Sequence, residues 1–85
     1  MEFRWHEWNV EHIGKHGVST DEAEAVVRGA VPRYRGDGKY LVQGRGYGGR
    51  WLQAVYVLDD DGTIFVIHAR PLNDREKRRQ RRRNR

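Results

Sequence analysis

The sequence predicts a small α+β domain: two N-terminal helices, an antiparallel sheet of three strands, or four if an N-terminal segment adds an edge, and a C-terminal helix. Apolar residues recur at helical spacing in the first third of the chain, and they alternate in short segments separated by turn signals between residues 39 and 70. At 85 residues, the chain has the length of one domain with a thin core. We therefore expect residues 1–85 to form a single domain, in which residues 74–85 are a basic C-terminal helix or tail.

Two helices are predicted ahead of the sheet. The first spans residues 9–16 (NVEHIGKH), with Asn9 as its N-cap. The second begins after Ser19, whose side chain can form a capping box with Glu22, and it ends before Pro32. The apolar face of this second helix consists of Ala23, Val26, Val27 and Ala30.

Three strand signals follow the helices. Residues 39–45 form the first, residues 50–58 the clearest, and residues 63–70 the third. The sequence DDDG at residues 59–62 predicts the hairpin turn between the last two. Residues 3–5 (FRW) could add a short edge strand. These signals predict an antiparallel meander.

The C-terminal helix is predicted from a second capping-box pattern, Asn73 with Glu76. Residues 74–85 carry eight Lys or Arg and two acids, a net of +6, whereas residues 1–73 carry nine Lys or Arg and ten acids, a net of −1, so the whole basic excess of the chain lies in the tail. A helix would align several arginines along one side that could bind RNA phosphates or an acidic protein partner, with strongly salt-dependent affinity. These arginines are Arg75, Arg78, Arg79 and Arg82. The alternative is a solvated, partly disordered charge run.

Composition excludes several classes of protein. The chain has no cysteine, so it has neither a disulfide framework nor a thiolate metal site. Its apolar stretches are far too short to span a membrane, and its N-terminus lacks the layout of a signal peptide. We therefore expect a soluble, cytoplasmic protein that contacts no membrane.

A glycine-rich stretch at residues 44–49 (GRGYGG) matches the dinucleotide-binding pattern G-x-G-x-x-G. That motif needs a helix directly after it, but the residues that follow here alternate like a strand. The stretch therefore predicts a hairpin loop, and no cofactor is expected. The loop places Arg45 and Arg50 on either side of Tyr47, an arrangement that suits a phosphate and a stacked base. A solvated hairpin tip is the alternative.

Several short motifs, in the same order along nearly the whole chain, carry a resemblance to a known family. The chain resembles the BrnT-type toxins of bacterial type II toxin–antitoxin pairs, which are small ribonucleases with a RelE-like fold. The matching pieces are residues 3–5, residues 15–19 (KHGVS) with Glu22 and Ala23, Gly44 and Arg45, residues 49–52 leading to Val55 and Tyr56, residues 66–70 (VIHAR), and residues 74–79.

The resemblance implies an RNA substrate and a cognate BrnA-like antitoxin with a ribbon-helix-helix DNA-binding domain. It also implies that toxin and antitoxin form a complex that represses its own promoter, and a homodimer or a toxin–antitoxin hetero-oligomer is expected. Three positions depart from the family pattern. Gln80 stands where family members commonly carry Tyr, His6 where they often have Asp, and His68 where Ser or Thr often precedes the final Ala-Arg. If the family's Tyr assists cleavage, its loss shifts that work to His68 or abolishes activity.

Metal-independent RNA cleavage needs a base for the 2′-OH proton, an acid for the leaving 5′-oxygen and cations for the phosphorane. His68 and Arg70 are two apart in a strand and therefore share a face. We expect His68 to be the base or acid, with Arg70, Arg50 and Arg79 completing the catalytic set. The expected RNA-binding residues are Lys15, His16, Arg45, Tyr47, Arg75, Arg78 and Arg82. The central expectation is that Arg45, Arg50, Arg70 and His68 meet at one concave spot.

Other interpretations of the same residues are kept open. His68 beside Arg70 could be a half-buried imidazole next to a structural ion pair, and the protein could bind nucleic acid without cleaving it or bind only a protein partner. His12 and His16 share a helical face, but zinc would need a third ligand, so no metal site is expected. Lys15 and His16 could also serve as helix C-terminal cations. The three tryptophans are expected in the core rather than as base platforms. They are Trp5, Trp8 and Trp51.

Overall fold

The computed structural model describes residues 1–83 and confirms the α+β class and the layout of helices around an antiparallel sheet. The elements are α1 (Glu7–Gly14), α2 (Thr20–Gly29), β1 (Arg33–Gly36), β2 (Lys39–Arg45), β3 (Trp51–Leu58), β4 (Ile64–Pro71) and α3 (Asp74–Arg83). The four strands lie in the order β1-β2-β3-β4, and every neighbouring pair is antiparallel. The last two residues of the predicted basic tail lie outside the described part of the chain.

The fourth strand is not the one that the sequence predicted. β1 pairs with β2 through a tight turn in which Asp37 (φ 54°) and Gly38 (φ 74°) are both left-handed. This is the conformation that an Asp-Gly pair favours in a two-residue hairpin. The N-terminal segment instead makes one isolated parallel bridge from Phe3 to Ile64, at the opposite edge of the sheet.

The first helix begins two residues earlier than predicted, and its cap is His6 rather than Asn9. The His6 side chain accepts a hydrogen bond from the Trp8 backbone N–H, while Asn9 Oδ1 accepts one from the His6 N–H. Asn9 is fully buried and also donates to the carbonyls of Arg4 and Val66. Asn9 therefore ties α1 to the outer edge of β4, which an N-cap position would not have allowed.

The apolar core lies on one face of the sheet, where α2 covers β2 and β3 and α1 lies along β4. The capping box of α2 forms as predicted, with Ser19 Oγ accepting from the Glu22 N–H and Glu22 accepting from the Ser19 N–H. Alternating residues of the strands enter this core because side chains of a strand alternate between its two faces. The core residues are Ile13, Val18, Ala23, Val26, Val27, Val42, Leu52, Ala54, Tyr56, Ile64, Val66 and Ala69.

The glycine-rich stretch is the β2–β3 hairpin loop, as predicted. Gly49 (φ 87°) donates to the Gly46 carbonyl and closes the turn. At Gly46 a Cβ atom would lie 2.6 Å from Leu52 Cδ1 and 3.3 Å from the Glu22 carbonyl oxygen. The glycine at this position therefore lets the hairpin pack directly against the start of α2.

Candidate nucleic-acid interface

The sheet face opposite the core carries polar side chains that are joined from strand to strand. Gln43, Gln53 and Arg70 are direct neighbours across β2, β3 and β4. Gln43 Nε2 donates to Gln53 Oε1 (2.8 Å), and Arg70 Nη2 donates to the same oxygen (3.4 Å). α3 closes both ends, because Gln80 Nε2 donates to Gln43 Oε1 (2.8 Å) and Glu76 accepts from Arg70. We call these five residues the polar ladder; it places α3 across this face.

Arg70 is held by a two-pronged ion pair with Glu76, with both N···O distances 2.8 Å. Glu76 also caps α3, accepting from the Asn73 backbone N–H while Asn73 Oδ1 accepts from the Glu76 N–H, as the sequence predicted. The Arg70 guanidinium, followed by the Asn73 contact and the charge of Arg79, lowers the pKa of Glu76 to about 2. The hydrogen bond to Glu76 raises the pKa of Arg70. Arg70, which was predicted to bind phosphate, is thus already paired with a carboxylate.

Three imidazoles meet where α1 passes β4; His12, His16 and His68 are called the histidine cluster. The His68 ring centroid lies 5.4 Å from that of His16 and 6.1 Å from that of His12. The His12 ring stacks on Trp8 at 5.1 Å. Burial, followed by the nearby His16, Arg70 and His12, lowers the pKa of His68. His68 is half-buried and His16 is exposed, so the cluster is open to solvent on the α1 side.

Arg50 does not join the other predicted site residues. Its guanidinium makes a two-pronged ion pair with Glu22 (2.9 Å each) and donates to the Gly17 carbonyl (2.8 Å). Both partners flank the start of α2, on the core side of the sheet. Arg45 and Arg70 lie on the opposite face, because they pair with Trp51 and Gln53. The four residues that were expected at one spot therefore do not come together. His68, Arg70 and Arg45 share one face of the sheet, and Arg50 lies on the other.

Arg45 stands at the far end of the polar face. Its guanidinium carbon lies 4.7 Å from the centre of the Trp51 ring, and its Nη1 donates to the Gly49 carbonyl (3.1 Å). Tyr47, at the tip of the loop, is 82% exposed. A cavity of about 510 Å³ opens beside Arg45 and Trp51, bounded by the end of α2, the edge of β2 and the end of α3. We call this cavity the β2 pocket; nothing in the sequence had pointed to it.

The remaining predicted RNA-binding cations are exposed, one directly after α1 and three on α3. They are Lys15, Arg75, Arg78 and Arg82. Arg79, which was predicted to be catalytic, is also exposed on α3. The expectation for the tryptophans is confirmed only for Trp5, which packs against the core and donates to Glu24 Oε2 (2.7 Å). Trp8 is 52% exposed, and Trp51 lies half-buried beneath Arg45 on the polar face, so neither is a core residue.

Within residues 1–83, no group of three or more His, Cys, Asp or Glu side chains is arranged to hold a metal ion, the histidine cluster included. In the same residues, no helix has the length and apolarity needed to cross a membrane. Comparison of the chain with models of known families, with curated proteins and with solved structures finds no significant match.

Proposed function

We propose that the protein is a cytoplasmic ribonuclease that cleaves RNA without a metal, by attack of the 2′-OH on the adjacent phosphorus. The observation that supports this best is the histidine cluster. The rings of His12 and His16 lie 6.1 Å and 5.4 Å, centre to centre, from the half-buried ring of His68, and the exposed Lys15 is next to His16 in the chain. Paired imidazoles can supply both the base and the acid that this reaction needs.

In the proposed reaction His68 is the base. Its lowered pKa keeps the ring neutral near pH 7, so its free nitrogen can take the proton from the 2′-OH. The 2′-oxygen then forms a bond to phosphorus while the bond from phosphorus to the 5′-oxygen breaks. His16, the exposed member of the cluster, has the role of the acid and gives a proton to the leaving 5′-oxygen. The products are a 2′,3′-cyclic phosphate and a 5′-hydroxyl, and the charges on the two rings are exchanged.

A second candidate is a module that binds nucleic acid without cleaving it. Two of the arginines expected to stabilise the phosphorane, Arg50 and Arg70, are already paired with Glu22 and Glu76. Stabilisation of the negative charge in the transition state would then depend on exposed cations such as Lys15, which are less fixed in position. This observation favours binding through α3 and Lys15 over turnover.

The two candidates separate in one experiment. Purified protein is incubated with single-stranded RNA in EDTA, and the ends of the fragments are analysed for cyclic phosphate. Cleavage that His68→Ala and His16→Ala each reduce by 100-fold or more supports the ribonuclease. His6→Asn is the matched control, since it removes the imidazole outside the cluster and keeps an N-cap acceptor for α1. RNA binding without cleavage by the unaltered protein would leave only the binding module.

We further propose that the ribonuclease is the toxin of a type II toxin–antitoxin pair, neutralised by a ribbon-helix-helix antitoxin. The family resemblance of the sequence supports this part, and the exposed arginines of α3 offer a surface for an acidic partner. Induced expression should arrest bacterial growth, His68→Ala should relieve the arrest, and co-expression of the neighbouring reading frame should restore growth. Growth unaffected by the active protein would reject the toxin assignment and leave the ribonuclease open.

A further inference from the structure

We infer that the β2 pocket binds one purine nucleotide of single-stranded RNA and that Gln80 accepts a hydrogen bond from the edge of its base. The pocket's volume of about 510 Å³ lies within the range of small-ligand sites. It is separate from the histidine cluster. Its walls include Arg45 and Trp51 at one end of the sheet, Gln43 of β2, and Gln80 and Arg83 of α3. The inference shares with the proposed function only the identity of the polymer.

The polar ladder determines which atom Gln80 presents to the pocket. A guanidinium can only donate, so the Gln53 atom facing Arg70 must be the oxygen. The same oxygen accepts from Gln43 Nε2, which leaves Gln43 Oε1 to accept from Gln80 Nε2. Gln80 Oε1 accepts from none of the side chains or backbone groups of residues 1–83. The ion-paired Arg70 of β4 therefore sets the orientation of three amides in turn. The last of these amides belongs to Gln80, whose oxygen is the acceptor that we assign to the pocket.

The other walls suit the stacked base and the phosphate of a nucleotide. Trp51 supports the Arg45 guanidinium 4.7 Å from its ring centre, and the outer surface of a guanidinium plane is a stacking surface for bases. Arg45 also donates to the Gly49 carbonyl, which holds it in place over the indole. Arg83 supplies a second positive charge to the same pocket. An acidic peptide would use the two charges but would leave the stacking surface and the Gln80 acceptor without a partner.

Adenosine 5′-monophosphate and purine riboside 5′-monophosphate form a matched pair of probes, since the second lacks only the amino group that donates to an acceptor. At low salt we expect the adenosine compound to shift the NMR signals of the Trp51 indole and of Gln43 and Arg45. We expect it to bind at least fivefold more tightly than the purine riboside compound. Arg45→Gln, at an exposed position, should weaken both nucleotides by fivefold or more.

The decisive variant is Gln80→Met, which keeps length and packing but removes the acceptor. It should bind both nucleotides with the same affinity, so the difference between them disappears. If Gln80→Met proves unstable, Arg70→Met tests the same point. Without the Arg70 guanidinium, the three amides can turn their oxygen and nitrogen atoms the other way round. The preference for the adenosine compound over the purine riboside compound should then fall, although Arg45 is intact. His68→Ala should abolish cleavage and leave nucleotide affinity unaltered, which separates the two proposals. Three outcomes would each overturn the inference. They are equal binding of the two nucleotides by the unaltered protein, NMR shifts confined to the histidine cluster, and tighter binding of a poly-glutamate peptide.

Discussion

The two faces of the sheet are built on different principles. On the face covered by α1 and α2, alternating apolar side chains such as Leu52 and Val66 are excluded from solvent and form one continuous cluster. On the face crossed by α3, which also holds the buried Leu41, two amides and a guanidinium are joined into a chain that ends on Glu76. Burial is not directional, whereas each hydrogen bond of the polar face requires a donor and an acceptor in a fixed order.

This difference indicates a division of work. Burial on the apolar face stabilises residues 1–83 as one unit, and the hydrogen bonds of the polar face fix the direction of its side chains. A change on the first face should therefore unfold the protein, and a change on the second should alter what the protein binds.

The largest effect is expected for Leu52→Ala, at a fully buried position in the centre of the core. Loss of buried methyl groups and the cavity left behind should lower the free energy of unfolding by about 3–4 kcal/mol. Val55→Ala, on the same strand but at a half-buried position of the opposite face, should cost about 1 kcal/mol. Urea unfolding followed by circular dichroism measures both, and equal losses would contradict the division between the faces.

The elements of the apolar face could be predicted from the sequence because their signals are local. The Ser19 and Glu22 capping box, the alternation along β3 and the glycine loop each depend on residues close together in the chain. The β1 strand was missed although Asp37 and Gly38 are a strong hairpin signal, because its four residues are mostly exposed and show no apolar alternation. The predicted cap of α1 was wrong because His6 is an unusual N-cap.

The polar face could be predicted only in part, because its partners are chosen by the tertiary fold. Arg50 meets Glu22 across 28 positions of the chain, and Gln80 meets Gln43 across 37. The spacing of His68 and Arg70 placed them on one face, but no pattern in the sequence shows that a carboxylate occupies the guanidinium. The same limit applies to the histidine cluster, whose members come from α1, the residues directly after it and β4.

The second effect concerns the carboxylate that closes the polar ladder. The pKa of Glu76 is about 2, below its ordinary value of 4.5, so the folded state binds fewer protons than the unfolded state between these pH values. Glu76 therefore adds roughly 2–3 kcal/mol to the free energy of unfolding. This contribution is fully present above pH 4.5 and is lost as the pH falls towards 2. Glu76→Gln should remove this acid-dependent loss of stability and lower the free energy of unfolding at pH 7. Unfolding measured at pH 7, 4.5 and 3 provides the test, with Asp74→Asn as a control on the same helical turn.

A smaller effect is expected where the two hairpin arginines are compared. Arg50→Gln should cost less than about 1 kcal/mol of stability, because its ion pair with Glu22 is partly exposed, and RNA affinity should change little. Arg45→Gln should leave stability nearly unchanged and weaken RNA binding several-fold at low salt. Filter binding and thermal unfolding of the two variants give the comparison. A larger loss of RNA affinity for Arg50→Gln would place the interface on the core side of the sheet.

The smallest effect is the pH response of the histidine cluster. Burial and the neighbouring His16, Arg70 and His12 lower the pKa of His68 below its ordinary value of 6.5, so the folded state releases the proton before the unfolded state does as the pH rises. The resulting stability is present above pH 6.5 and declines as the pH falls through the window between that value and the folded pKa.

His16→Gln removes one of the charges that oppose protonation, so the pKa of His68, followed by NMR of the imidazole, should rise towards 6.5 and the slope of stability with pH should flatten. His6→Asn should leave the His68 titration unaltered, since His6 caps α1 and lies outside the cluster. A titration of His68 at or above 6.5 in the unaltered protein would mean that burial and these neighbours do not lower its pKa, and it would contradict the role of His68 as the neutral base at pH 7.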